Sequence, residues 1–180
     1  MLDFTSALYL GLQHPTRVLQ PWNRLTTGVP AALEPPPGAE SVARRLAALQ
    51  GCEAATLGTS TLHLFWDLFG LFSPRAFEIL LDAGAYAIAG WGVERAAARG
   101  IRVRRFAHYN LRDLHRQLHK DNGSGRRPVV VADGVCPACG RSAPVQDFWN
   151  VVQARNGYLV LDDTQALSVL GHTPTTASPY

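Results

Sequence analysis

Lysine is almost missing from this chain of 180 residues: Lys120 is the only one, and arginine carries nearly all the positive charge. The arginines are dispersed, with doublets at Arg44-Arg45, Arg104-Arg105 and Arg126-Arg127 and no longer basic block. The net charge of +3 therefore does not describe a nucleic-acid surface, and no nucleic-acid partner is expected. No apolar run reaches the ~20 residues that a membrane helix needs. The start, MLDFTSALYLGL, lacks the basic flank and small-residue cleavage site of a secretion signal, so a cytoplasmic location is expected. Cysteine is scarce and odd in number, at Cys52, Cys136 and Cys139, which argues against a secreted disulfide framework. One Cys-x-x-Cys supplies two of the four ligands of zinc, while Cys52, His108 and His172 lie far off in sequence, so no metal site is expected.

What is present suits a single core. Hydrophobic residues make up 47% and charged residues 17%, ample for one globular domain and short for two. Pro30 and the run Pro35-Pro36-Pro37-Gly38 mark residues 1–38 as an N-terminal arm and linker, leaving residues 39–180 as the domain. AESVARRLAALQG then reads as an amphipathic helix closed by Gly51, and EAATLG as a strand. Residues 61–72 form a buried helix, and FEILLDA is the short continuous apolar run of a strand covered on both faces. Residues 90–99 are helical with Gly100 as the stop, IRVRRFA is a β-branched strand, and NLRDLHRQLHK is a helix with Asn110 as its N-cap. After the turn DNGSGRRP come strand RPVVVAD, helix VQDFWNVVQARNG and strand YLVLDD. This alternation predicts an α/β fold, a mostly parallel sheet with helices on both faces.

In such sheets ligands gather at the carboxyl ends of the strands. Four strand ends are candidates: Gly58-Thr59-Ser60, residues 82–86, residues 133–140, and Asp162-Asp163-Thr164-Gln165. The first leads into a helix, where backbone N–H groups can hold a phosphate, although such a turn also serves as an ordinary N-cap. Tyr86 places an aromatic ring just past a strand, either as packing or as a stacking surface. Two adjacent carboxylates closing an apolar strand are costly unless solvated or partnered, so Asp162 is either a turn cap or a ligand anchor.

Taken in order, these segments resemble a known family. DFTSALYLGL is similar to the DF(S/T)SNDYLGL opening of the α-oxoamine synthases. LAALQGCEAATLGTSTLH resembles their LAxxxGxExALxFxSGFxAN, and RRFAHYNLRDL their RFxHNDxxxL. VVVADGVCPACGRSAPV resembles VVTEGVFSMDGDxAPL, and NGYLVLDDTQALSVLG resembles YGALLxVDDAHxxGVLG. The family includes the 8-amino-7-oxononanoate synthase, 2-amino-3-ketobutyrate CoA ligase and serine palmitoyltransferase types. The resemblance implies the large domain of a fold-type I pyridoxal-phosphate enzyme, incomplete at its C-terminal side. It also implies a transferase that joins an amino acid to an acyl-CoA thioester with loss of carbon dioxide, working as a homodimer or with a completing partner chain.

Position by position, the resemblance makes Asp162 the partner of the cofactor's pyridine nitrogen and puts Tyr86 where the family has a histidine stacked on the ring. These two are the expected catalytic residues. Gly58 and Thr59 match the turn that holds the cofactor phosphate, with Ser60 as a neighbouring hydroxyl, and Asp133 replaces the acidic residue of the EGVFSMDG block. Gln165 stands where the DDAH pattern has histidine, Pro137 replaces a serine and Leu62 an asparagine. The family's Schiff-base lysine follows the DDAH block by some tens of residues, whereas this sequence ends at Tyr180. The resemblance therefore implies either a truncated or split synthase or a lysine-less, non-catalytic homologue that serves a catalytic partner.

A thioredoxin-like redox domain is the rival reading, since strand VVVAD leads to Cys136-Pro137-Ala138-Cys139 and then to a helix, with Thr173-Pro174-Thr175 as a proline loop. It leaves the residues before the motif without a role.

Overall fold

The computed structural model describes residues 38–58, 60–120 and 125–167. They fall into two compact units, one holding the first helix and one running Gly58–Ala166.

In the first unit, α1 (Ala39–Gln50) ends as its sequence requires. Gly51 adopts φ 64°, a conformation that favours glycine, and lets its own N–H reach the Ala48 carbonyl while the Cys52 N–H reaches Ala47. Residues 53–58, expected as a strand, pair with no strand among the described residues and are exposed. The segment has little to bury: apart from two alanines its one large apolar side chain, Leu57, is 43% exposed.

The second unit follows the expected alternation: α2 (Thr61–Gly70), β1 (Phe77–Asp82), α3 (Ala87–Ala98), β2 (Arg102–Phe106), α4 (Leu111–His119), β3 (Arg127–Asp133), α5 (Val145–Gln153) and β4 (Tyr158–Asp162). The four strands are all parallel, in the order β2-β1-β3-β4. The central strands β1 and β3 are buried on both faces, which explains their continuous apolar runs. Ile79, Leu81, Val129 and Val131 meet Phe65 and Phe69 of α2 and Val93 of α3. On the opposite face Leu80, Val130 and Ala132 meet Leu114 of α4 and Phe148 of α5.

Helix α3 begins three residues before the expected position 90. Its glycines are tolerated because one is needed: a Cβ on Gly92 would lie 2.7 Å from the Phe65 Cβ, so a bare backbone lets α2 and α3 touch. Asn110 caps α4 as expected, its Oδ1 accepting from the Asp113 N–H at 2.9 Å.

The fold fixes where a ligand can sit. From the central pair, α3 leaves β1 on one face and α5 leaves β3 on the other. The loops therefore diverge at the carboxyl ends of β1 and β3, and a crevice opens between them.

Candidate functional site

Three aspartates close three neighbouring strands: Asp82 on β1, Asp133 on β3 and Asp162 on β4. Asp133 and Asp162 are direct register partners. Beside them is a cavity of about 460 Å³ whose walls include Thr61, Tyr86, Asp133, Pro137, Asp162 and Gln165. It lies wholly within the second unit.

Each carboxylate has its own surroundings. Asp162 Oδ1 accepts from the Thr164 N–H at 3.1 Å and the Thr164 hydroxyl at 2.6 Å, which makes it a turn cap. No hydrogen bond reaches its Oδ2 among the described residues. Both oxygens of Asp133 accept from the Tyr86 N–H, each at 3.1 Å, so this buried carboxylate caps the start of α3 from another strand. That bond favours the Asp133 anion, but burial, with the charges of Asp162 and Asp82, outweighs it and raises the carboxyl above its ordinary 3.8. Tyr86 stays 52% exposed at the cavity.

Asp82 organises the next turn. Its Oδ1 accepts from the Gly84 N–H and from His108 Nδ1, both at 2.7 Å, and its Oδ2 accepts from the Tyr109 N–H at 2.8 Å. The other ring nitrogen of His108 lies 3.4 Å from Cys139 Sγ. Burial opposes protonation of His108, yet the bonds to Asp82 and Cys139 prevail and its pKa lies above 6.5. Hydrogen bonds from the Arg141 backbone and guanidinium, then from His108, lower the exposed Cys139 thiol from 9.0 to about 6. Tyr109 holds a left-handed φ of 52°, unusual for a bulky residue, and its hydroxyl donates to the Asp133 carbonyl at 2.8 Å.

No family model matches the chain. A protein of Phenylobacterium zucineum named as an 8-amino-7-oxononanoate synthase is 36% identical over 128 residues, covering 71% of this chain and 32% of that one. The chain resembles the α-oxoamine synthase family, which this likeness supports. It spans about a third of the length of that curated relative. Among solved structures, Sphingomonas wittichii serine palmitoyltransferase superposes with a TM-score of 0.66 at 20% identity, over 76% of this chain and 33% of that one. A serine palmitoyltransferase from S. paucimobilis with a bound PLP–myriocin aldimine gives 0.65 at 19% identity, over 73% and 32%. The shared fold is the large domain of these enzymes, present in part.

Of the residues singled out from sequence, Tyr86, Asp133, Asp162 and Gln165 meet at the cavity. Thr59 lies outside the described residues. Gly58 is not in the cavity wall, and the Ser60 hydroxyl is engaged as the N-cap of α2, accepting from the His63 N–H at 3.3 Å. The neighbouring Thr61 takes the place at the wall. Lys120 is exposed at the C-terminal end of α4. That helix leads from the carboxyl end of β2 toward the amino end of β3 and is about 13 Å long, so Lys120 lies toward the amino ends of the strands.

Two further expectations need correcting. Helix α5 begins at Val145, past Cys139 and not at the cysteine motif, and every strand pairing in the described sheet is parallel. And His108, remote in sequence, does converge with Cys136 and Cys139. Sequence reasoning also gave no role to Asp82 or Tyr109; the aspartate closing strand FEILLD was the visible signal for the first.

Proposed function

We propose that this chain is the cofactor-holding part of a pyridoxal-phosphate-dependent synthase that condenses an amino acid with an acyl-CoA thioester. The observation carrying this is the convergence of Tyr86, Asp133, Asp162 and Gln165 on one cavity at the strand ends. Its volume of about 460 Å³ falls in the ~300–1,000 Å³ range of small-molecule sites.

The residues fit the cofactor's shape and charge. Asp162 has one oxygen tied to Thr164, which orients the carboxylate, and the other is available to accept from a protonated ring nitrogen. The bound cofactor supplies the electron sink for bond breaking at the amino acid's α-carbon. Tyr86 offers an aromatic face at the cavity, and its backbone is pinned by Asp133. Gln165 offers a neutral amide to the ring oxygen, a hydrogen bond that does not titrate. The opening turn of α2, with Thr61 at the wall, presents the positive end of a helix to the phosphate.

Lys120 takes no part in this reading, because it sits toward the amino ends of the strands, away from the cavity at their carboxyl ends. The reactive lysine comes from a further segment or a partner chain that completes the site. A chain that only binds cofactor and supports a catalytic partner is the second reading, favoured by the same position of Lys120.

Titration of the purified chain with pyridoxal phosphate tests the assignment, followed by equilibrium dialysis and by mass spectrometry after borohydride. Reversible binding that Asp162→Asn weakens at least tenfold is expected, with Lys120 left unmodified. Absence of binding, or binding indifferent to Asp162→Asn, overturns it.

A further inference from the structure

We propose that His108, Cys136 and Cys139 form a site for a tetrahedral divalent transition-metal ion of the zinc class, with Asp82 as the carboxylate that orients the histidine. The proposal stands apart from the cofactor reading, since none of these four residues was needed there.

Geometry is the first argument. His108 nitrogen and the two sulfurs lie within 4.8 Å of one another. Zinc bonds of ~2.3 Å to sulfur and ~2.0 Å to nitrogen put ligand atoms about 3.5–3.8 Å apart in a tetrahedron. The 3.4 Å between His108 Nε2 and Cys139 Sγ is close to that edge length.

The histidine is also prepared for the role. Nδ1 donates to buried Asp82 at 2.7 Å, so a metal that displaces the proton shared between Nε2 and Cys139 meets the imidazole lone pair on Nε2, the nitrogen that faces the sulfurs. A carboxylate behind a ligating histidine fixes its tautomer and ring orientation in metal sites generally. Gly84 closes the ring in from behind: a Cβ there would collide with the imidazole.

The cysteine loop is built to bring both sulfurs to one side. Val135 and Ser142 form an antiparallel bridge, the Cys136 N–H donates to the Arg141 carbonyl at 2.9 Å, and the Gly140 N–H returns to the Cys136 carbonyl at 2.8 Å. Gly140 closes the turn at φ 69°, in the left-handed region. Two thiolates and a neutral imidazole balance a divalent ion and are the soft donors that select zinc over magnesium or calcium. The fourth position is left to water or another exogenous ligand. An ion here would staple the β2–α4 turn to the loop after β3, whose Val135 and Pro137 line the cavity.

The test uses the full chain, purified under reducing conditions with zinc and then desalted. Elemental analysis is expected to give one zinc per chain, and replacement by cobalt(II) the visible bands of a tetrahedral ion with thiolate charge transfer. Cys139→Ser and His108→Gln each abolish stoichiometric binding, Cys52→Ser leaves it intact, and Asp82→Asn lowers affinity roughly 10–100-fold. Cys139 is exposed, so its serine variant spares the core. Titration of the unmutated chain with a mercurial, releasing zinc in step with two thiols, needs no variant. Failure to retain zinc, an octahedral cobalt spectrum, retention by a Cys136→Ser/Cys139→Ser variant, or recovery of a Cys136–Cys139 disulfide overturns the assignment.

Discussion

His108 Nδ1 sits 2.7 Å from Asp82 Oδ1, and that carboxylate is only 1% exposed at the end of a central strand. The turn after β2 is thus referenced to β1, the strand that stands between β2 and β3, whose cysteine loop the turn faces.

Gly84→Ala tests how tightly the ring is held. The added methyl overlaps the imidazole, so His108 must move off Asp82. A loss of about 1–3 kcal/mol in urea unfolding is expected, with loss of the protected Nδ1–H signal in NMR.

Tyr109→Phe removes the hydroxyl that donates to the Asp133 carbonyl at 2.8 Å. The expected cost is about 1 kcal/mol. Burial, and next the Asp133 charge, hold the phenol well above its ordinary 10.0, so it remains a donor at neutral pH. The difference measured by denaturant unfolding is therefore constant between about pH 6 and 9.

Gly92→Ala drives a methyl to 2.7 Å from the Phe65 Cβ and 3.1 Å from the Phe65 backbone. Helices α2 and α3 must separate, and a destabilisation of about 1–3 kcal/mol in urea outweighs the gain in helix propensity.

Asp113→Asn bears on acid stability. The Ala107 N–H at 2.7 Å, followed by Arg116, lowers the Asp113 carboxyl below its ordinary 3.8. Its stabilisation is complete above the unfolded value and disappears as pH falls through the lower folded value. Thermal unfolding should show the variant weaker at pH 7, with the gap closing only as pH drops below 3.8.

The alternation of elements was legible because each central strand is an almost unbroken apolar run and two helices carry their own stop signals, Gly51 and Gly100. Asp133 and Asp162 were legible as strand-end carboxylates. Residues 53–58 misled, since a short run of small residues reads as a strand without showing whether anything pairs with it. The approach of His108 to Cys139 was hidden for a topological reason: they are 31 residues apart, and β1 stands between their strands in the sheet. Only strand order places them together.

The sheet order also ranks its strands by protection. β1 and β3 pair on both sides, whereas β4 has one partner among the described residues and is nowhere fully buried. Amide hydrogens of β1 and β3 should therefore exchange with deuterium slowest, and those of β4 much sooner. Asp82 and Asp133 ride on the slow strands and Asp162 on the fast one, so a ligand gripping Asp162 would slow exchange along the sheet's loosest margin.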